Sequence, residues 1–221
     1  ALSATIGISC GDKNEPTPSV EGTPPPLSDG LLDQVSATRM KETVDFLADD
    51  DKGGRVTGTF GHMASINWIA DKMEEIGLEP IGLEGDYMYP FPASPNGSFY
   101  AMDETGNISI AHAEVAYDLV GRVPGSNPDL AHEHILIMAH HDHLGVDQAG
   151  NSFNGAFDNA AGVAVALELA RILMMQPPER SVIIMLTDEE ESGLDGAYAW
   201  LEDPTIPRDQ IIFGLSVDPV G

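Results

Sequence analysis

The amino-acid sequence predicts an α/β fold, a three-layer sandwich in which a mixed, mostly parallel central sheet lies between layers of helices. Two observations carry this prediction. Residues 135–139 and 182–186 are continuous apolar runs of strand length, as expected for strands that are covered on both faces. Between them, residues 160–175 are apolar almost all round, which predicts a helix pressed against the sheet. Alternating strands and helices are typical of this class.

Shorter elements complete the predicted domain. One helix is expected from about Ser36 and a second over residues 66–76, because apolar residues recur there at helical spacing. Irregular strands are expected within residues 86–123, where Pro, Asn and Gly interrupt pieces that favour β-structure. Towards the end of the chain we expect a short helix over residues 193–201 and a further strand over residues 211–217.

Residues 1–35 are predicted to precede the domain, which would then span residues 36–221. The small, apolar residues 1–9 lead to Cys10, a pattern similar to the end of a signal peptide with a lipobox. Residues 11–30 are rich in proline and polar residues, which suits an extended tether. We therefore expect a bacterial cell-envelope or secreted protein that meets a membrane only through a lipid on Cys10. An ordinary free or buried thiol is the alternative.

The composition limits the partners and the metal chemistry of the chain. Ten Lys and Arg residues against 36 Asp and Glu residues give a formal net charge of −26, which argues against binding to nucleic acid or to an anionic membrane surface. Most of these carboxylates fit an ordinary solvated surface. Cys10 is the single cysteine, so the chain cannot form a thiolate metal cluster. A metal ion would have to bind to His, Asp and Glu.

A cluster of histidines follows the predicted strand over residues 135–139. It consists of His140, His141, Asp142 and His143. Imidazole is the commonest zinc ligand, and a nearby carboxylate can hold the other ring nitrogen, so His140 and Asp142 suit a ligand and a group behind it. Taken alone, the cluster fits a surface loop equally well.

Carboxylates recur at three further places that the fold would bring to one edge of the sheet. Asp158 would lie at the start of the buried helix, where the helix N-terminus favours an anion, although an ordinary N-cap explains it too. The acidic run over residues 188–191 follows a buried strand, with a solvated turn as the alternative, and Asp218 follows the last strand. Because ligands collect beyond the carboxyl ends of strands in such sheets, the four places together indicate a site.

Four segments resemble, in order and spacing, the metal-binding motifs of the co-catalytic di-zinc aminopeptidases, which are relatives of bacterial leucyl aminopeptidases and glutamate carboxypeptidase. The segments are AHHDHLG (139–145), GAFDNAAG (155–162), DEEESGLDG (188–196) and SVDPVG (216–221). The resemblance extends upstream to about residue 38. It implies the zinc exopeptidase fold, peptide substrates and two Zn²⁺ ions in each complete site.

The resemblance also implies a role for individual residues of this sequence. The metal ligands would be His140 and Asp218 for one zinc, Glu191 for the other, and Asp158 as the bridge between both. The register of Glu-Glu-x-Gly-Leu-x-Gly makes Glu190 the general base, and Asp142 would stand behind His140. A cis peptide bond between Asp158 and Asn159 is implied as well.

The predicted function is that of a zinc-dependent metallopeptidase, an aminopeptidase that removes N-terminal residues by attack of a metal-activated water with Glu190 as general base. The alternatives are a non-catalytic binding module on the same fold, or carboxypeptidase or glutaminyl cyclase chemistry. The family places a last histidine ligand well beyond Asp218, so we expect the C-terminal part of the domain to be missing. The sequence predicts neither a preferred substrate side chain nor an oligomeric state.

Overall fold

The computed structural model describes residues 30–94 and 99–219, so Cys10 and almost the whole predicted tether lie outside the described residues. The α-helices are α1 (Ala37–Leu47), α2 (Phe60–Ile76), α3 (Ala161–Met175), α4 (Glu190–Gly193) and α5 (Asp195–Glu202). The strands are β1 (Glu79–Pro80), β2 (Met88–Pro92), β3 (Tyr100–Met102), β4 (Ile108–Ile110), β5 (Val115–Val123), β6 (His134–His140), β7 (Ser181–Thr187) and β8 (Ile211–Ser216).

Six of these strands form one mixed sheet in the order β1-β5-β7-β6-β8, and β2 pairs with β5 beside β1. The strands β6, β7 and β8 run parallel to one another, whereas β5 runs antiparallel to β7, β1 and β2. β3 and β4 form a separate antiparallel pair. The predicted class is therefore confirmed, and the two apolar runs on which it rested lie within β6 and β7.

Helices cover both faces of the sheet, which makes the three layers. On one face, α1, α2 and α3 contribute side chains to a core that contains Ile184 of β7. On the other face, the fully buried Trp200 of α5 packs into a core that contains Ile183. Successive residues of a strand point to opposite faces, so both cores require apolar residues throughout β7. This requirement explains its uninterrupted apolar sequence.

The helix ends follow the chemistry of their capping residues. The hydroxyl of Thr59 accepts a hydrogen bond from the backbone N–H of His62 and begins α2. Gly77 ends the same helix with a φ of 85°, in the left-handed region that glycine adopts without a Cβ clash. Among the described residues, no helix has both the length and the apolar character needed to cross a membrane.

The direction of the parallel strands determines where functional side chains collect. His140 is the last residue of β6, Asp188 directly follows β7, and Asp218 lies two residues beyond β8. A turn over Ala156–Ala160, which carries Asp158, leads into α3 at the same edge. The four places singled out in the sequence therefore meet at the carboxyl edge of the sheet.

Candidate metal centre

His140 lies at the middle of a first group of possible ligands. Its Nε2 atom is 2.9 Å from Asp158 Oδ1 and 3.3 Å from Asp218 Oδ1. The imidazole is buried at the end of β6, whereas the two carboxylates are partly exposed. One ligand atom from each of the three residues lies within 4.8 Å of the other two. The three side chains therefore face a common point.

A second group shares Asp158 and contains Glu191. Its third member is His143, whose Nδ1 atom is 2.7 Å from Glu191 Oε1. The sequence analysis named Asp158 and Glu191 for this place and gave His143 no role. The only sequence signal for His143 is its position in the histidine-rich segment that begins at His140.

Asp142 lies behind both groups and contacts the acidic turn directly. Its Oδ1 accepts the backbone N–H of Glu190 at 3.1 Å, and its Oδ2 accepts that of Glu191 at 3.3 Å. Asp142 Oδ1 is also 3.4 Å from His140 Nδ1, although the hydrogen bond of that nitrogen goes to the Asp142 carbonyl at 3.2 Å. Asp142 therefore connects the loop after β6 with the turn after β7.

Glu190 begins the short helix α4, and its carboxylate faces the first ligand group. Its Oε2 atom is 4.0 Å from His140 Nε2. Burial raises the pKa of Glu190 to about 6, and the charges of Asp142 and Glu191 add to this effect against the opposing charge of His140. A carboxylate with a pKa close to neutrality suits proton transfer at physiological pH.

Glu189 directly precedes Glu190 in the chain, but its carboxylate makes a different contact. It has a φ of 54°, is buried, and accepts a hydrogen bond from the backbone N–H of Ser94 at 2.8 Å. Burial raises the pKa of Glu189 to about 7, against the effect of the Ser94 hydrogen bond. The left-handed backbone at Glu189 gives its side chain a direction different from those of Glu190 and Glu191.

The turn that carries Asp158 is fixed by its neighbour Asn159. The peptide bond between the two residues is cis, as the resemblance implies. The buried Asn159 side chain donates to the Val217 carbonyl at 2.8 Å and accepts from the Gly162 N–H at 2.9 Å. Helix α3 has Ala160 as its N-cap without a side-chain cap hydrogen bond, so Asp158 does not cap it. Its carboxylate is available to the site.

Arg55 forms hydrogen bonds with the loops that carry the candidate ligands. The sequence analysis did not identify it. Its fully buried guanidinium donates hydrogen bonds to four backbone carbonyls: Leu47 at 2.6 Å, Asn154 at 2.7 Å, His141 at 2.9 Å and Gly155 at 3.0 Å. Burial lowers the pKa of Arg55 to about 10, against the charges of Asp142 and Asp158. The side chain holds together the two loops that carry the ligand groups.

Asp188 anchors the acidic turn to the rest of the sheet. Its fully buried carboxylate accepts hydrogen bonds from the Thr57 hydroxyl at 2.7 Å and from the backbone N–H of Tyr117 at 2.9 Å, and it lies 3.0 Å from His62 Nε2. Burial alone would raise the pKa of the Asp188 carboxyl. The neighbouring His62, by its charge and its hydrogen bond, instead holds this pKa well below its usual value. His62, His141 and Asp188 also have metal-like spacing. Because its oxygens already have hydrogen-bond donors, we interpret Asp188 as a structural anchor.

The charge balance of the site fits a bound cation. Burial alone would lower the pKa of His140, but the nearby carboxylates of Asp142 and Asp218 raise it to about 11. The carboxylates therefore favour a positive charge at this point, which a proton on His140 or a divalent metal ion supplies. Imidazole nitrogen and carboxylate oxygen are ligands that Zn²⁺ prefers in hydrolytic sites. The residues present fit zinc.

The fold and the site define a class: an α/β domain with a cluster of possible metal ligands at the carboxyl ends of its parallel strands. Comparison with known proteins names the family. Residues 118–221 match the model of Peptidase family M28. The matched range contains all four motifs on which the resemblance rested, and the resemblance is confirmed.

Individual relatives share a low sequence identity with this chain. The "Alkaline phosphatase isozyme conversion protein" of Escherichia coli is 30% identical over 152 residues, which are 65% of this chain and 40% of that protein. A "Probable zinc metalloprotease" of Pyrenophora teres f. teres is 24% identical over 200 residues, 80% of this chain and 36% of that protein. The chain thus spans less than half the length of these curated relatives.

A solved structure shows the same fold. The aminopeptidase from Aneurinibacillus sp. strain AM-1 superposes with a TM-score of 0.61 at 18% sequence identity, covering 88% of this chain and 73% of that structure. This similarity agrees with the mixed sheet between helices described above.

Proposed function

We propose that the protein is a zinc-dependent metallopeptidase that removes N-terminal residues from peptides, with Glu190 as its general base. The observation that carries this proposal is the meeting of two ligand groups at Asp158, with the Glu190 carboxylate 4.0 Å from His140 Nε2. The match of residues 118–221 to Peptidase family M28 and the zinc metalloprotease name of the Pyrenophora relative support the same reaction class.

In this proposal the chain supplies the ligands of the metal and the groups behind them. One zinc would be held by His140, Asp158 and Asp218, and a second by Asp158 and Glu191. When bound, zinc polarises the scissile carbonyl and makes water acidic enough to attack at neutral pH. The buried carboxylate of Asp142 keeps the turn that carries the two glutamates in position relative to His140.

Glu190 performs the proton transfers. Its carboxylate takes a proton from the attacking water and returns it to the nitrogen of the leaving amine, so that one group serves as base and then as acid. In its ionised state this carboxylate accepts the proton. Its backbone N–H is held by Asp142, which restricts where the carboxylate can reach.

An acidic cleft favours substrates with a free α-amine. Beyond the carboxylates placed on the metal, Asp142 adds negative charge beside the site, and the chain as a whole is strongly acidic. Attraction of the substrate ammonium group distinguishes an aminopeptidase from a carboxypeptidase, whose substrates present a carboxylate. We also propose a cell-envelope or secreted location, which rests on the sequence pattern that ends at Cys10.

The direct experiment compares substrates that differ in their N-terminus. The zinc-loaded protein is assayed with leucyl p-nitroanilide, with its N-acetyl derivative, and with a peptide that begins with glutamine. We expect hydrolysis of leucyl p-nitroanilide and not of its N-acetyl derivative. This activity should be lost when a chelator removes the metal. Equal cleavage of the acetylated compound would contradict an aminopeptidase.

The other predicted chemistries give different outcomes in the same assay. Ammonia release from the glutamine peptide, without cleavage of a peptide bond, would instead indicate glutaminyl cyclase activity. Release of a C-terminal residue from blocked peptides would indicate a carboxypeptidase. Zinc binding without turnover of any substrate would indicate a binding module on the peptidase fold.

A further inference from the structure

We propose that Asp118 is a positioning residue for the acidic turn over residues 188–191, which it holds as an uncharged hydrogen-bond acceptor. Asp118 lies on β5 and is fully buried, and its Oδ1 accepts the backbone N–H of Asp188 at 2.9 Å. Asp188 is the first residue after β7, two places before Glu190. This role rests on the proposed function, in which Glu190 is the general base.

The acidic turn is held from both strands that flank β7, because β7 lies between β5 and β6 in the sheet. Asp118 of β5 binds the N–H of Asp188, and Asp142, which follows β6, binds the N–H of Glu190 at 3.1 Å. The Asp188 carboxylate also accepts the backbone N–H of Tyr117 of β5 at 2.9 Å. A loss of the contact with β5 would therefore move Glu190 relative to the ligand groups.

The surroundings of Asp118 favour a neutral carboxyl group. Its Oδ2 atom is buried and has no hydrogen-bond partner in the described part of the chain. A buried carboxylate with a single donor is costly, and the carboxyl groups of Asp188, Asp142 and Glu189 lie nearby. Burial and these acidic neighbours raise the pKa of Asp118 well above its usual value, against the effect of the Asp188 N–H. A neutral carboxyl group still accepts a hydrogen bond through its carbonyl oxygen.

Glycine at position 196 gives the Asp118 carboxyl group room at the start of α5. An added Cβ at Gly196 would stand 2.2 Å from Asp118 Oδ1 and 2.5 Å from the Asp188 carbonyl oxygen. The Gly196 N–H donates to that carbonyl at 3.3 Å. The oxygen that holds the turn is therefore confined between β5 and α5.

Two variants separate an uncharged acceptor from other roles of Asp118. Asp118→Asn keeps an accepting oxygen and has no charge, whereas Asp118→Leu has a similar shape and removes the acceptor. We expect wild-type kcat in the Asn variant. In the zinc-loaded Leu variant kcat should fall by roughly 10²-fold, as for a small misplacement of a reacting group, with KM unchanged. Gly196→Ala, which crowds the same oxygen, should also lower kcat.

The matched control for a loss of stability alone is Ser181→Ala. Ser181 is buried at the opposite end of β7, where its hydroxyl donates to the Ala131 carbonyl at 2.7 Å and accepts the Gly125 N–H at 3.0 Å. This variant should lower the urea midpoint and leave kcat unchanged. Wild-type kcat in Asp118→Leu would overturn the positioning role. An Asn variant as impaired as the Leu variant would overturn the uncharged acceptor.

Two NMR measurements on the zinc-loaded protein require no turnover. With carbon-13 in the Asp carboxyl groups, we expect one signal of a protonated acid at neutral pH, and this signal should be absent from Asp118→Asn. Exchange of the Asp188 N–H with solvent should be slow in the wild-type and Asn proteins and faster in Asp118→Leu.

The absence of a protonated Asp signal would contradict the uncharged state, and slow exchange in Asp118→Leu would contradict the hold on the turn. A wild-type protein that cleaves no peptide would contradict the proposed function. In that case the two NMR measurements would still decide whether Asp118 holds the acidic turn as a neutral acceptor.

Discussion

The Asp142 carboxylate accepts the backbone N–H of Glu190 at 3.1 Å, so the loop residue two places after His140 also holds the proposed base. Its second oxygen accepts the N–H of Glu191 at 3.3 Å. The loop after β6 and the turn after β7 therefore form one hydrogen-bonded unit. A disturbance of Asp142 should affect metal binding, proton transfer and stability together.

We expect Asp142→Ala to lower the free energy of unfolding by about 2–3 kcal/mol, because it leaves two partly buried N–H donors without acceptors. Turnover should fall by at least tenfold at saturating substrate. Asp142→Asn keeps one oxygen and should lie between the wild-type and alanine proteins in both measurements. Urea unfolding and kcat test this, with the exposed Asp129→Ala as control. Wild-type stability and kcat in Asp142→Ala would rule out the connecting role.

Zinc binding should release protons from the site. His140 has a pKa of about 11 without metal, so it carries a proton at neutral pH that a metal ion must displace. Between pH 7 and 9 the apparent zinc affinity should therefore rise about tenfold per pH unit. Calorimetric titration in buffers of different ionisation enthalpy measures the number of protons released, which should be about one per chain near pH 8. Binding without proton release would contradict the assigned charge of His140.

Glu168 should stabilise the packing of α1 on α3 above its pKa and not below it. Burial opposes ionisation, but hydrogen bonds from Arg171 and Arg39 lower the pKa of Glu168 from 4.5 to about 2. Because the pKa in the folded protein lies below the ordinary value, the stabilisation is complete above pH 4.5 and is lost as the pH falls towards 2.

Glu168→Gln should therefore lower the free energy of unfolding by about 2 kcal/mol at pH 7, the usual range for hydrogen bonds to charged groups. At a pH near 2 the difference from the wild-type protein should disappear. Urea unfolding at several pH values measures this, and Glu74→Gln, at an exposed carboxylate of α2, should show no such dependence. A constant difference at all pH values would count against the ionic origin.

Replacing either of the two adjacent glycines that precede Arg55 by alanine should change the stability of the protein, but by different amounts. Gly53 and Gly54 both have positive φ values, 54° and 70°. A Cβ at Gly53 would meet nothing within 4 Å, whereas one at Gly54 would stand 2.1 Å from the Gly145 carbonyl oxygen. Backbone strain alone costs about 1–2 kcal/mol, and overpacking adds about 1–3 kcal/mol.

We therefore expect Gly53→Ala to destabilise the protein by about 1 kcal/mol and Gly54→Ala by about 3 kcal/mol in urea unfolding. Because Gly54 lies next to Arg55 and against the loop after β6, its replacement should also weaken zinc binding, and that of Gly53 should not. Equal losses in the two variants would show that backbone strain, and not the contact with Gly145, determines the effect.

Much of the fold could be predicted from the sequence because its central strands are buried on both faces. The apolar runs within β6 and β7 and the apolar helix α3 have no polar interruption that would obscure them. The region before β6 was harder to predict. It was expected to be irregular, yet it contains β5, a regular nine-residue strand whose antiparallel pairing with β7 joins distant parts of the chain. Short-range patterns do not reveal such pairing.

The residues of the candidate site also fall into those that the sequence reveals and those that only the folded chain brings together. His140, Asp158, the acidic run over residues 188–191 and Asp218 could be singled out because each follows a strand or begins a helix, and the resemblance selected Glu190 within the run. The structure brings these residues to one edge. Arg55 could not, because its partners are backbone carbonyls that only the folded chain assembles. The position of His143 against Glu191 likewise depends on how closely the Gly155 turn approaches.

The central claim is tested most directly by zinc content and turnover measured on the same preparation of Glu190→Gln. The amide keeps the shape of the side chain but cannot accept the proton, so we expect full zinc content and a kcat lower by about 10²–10⁴-fold. Glu189→Gln, next to it in the chain and bound to Ser94, is the matched control and should retain activity. Near-normal turnover in zinc-loaded Glu190→Gln would contradict the assignment of Glu190 as the general base.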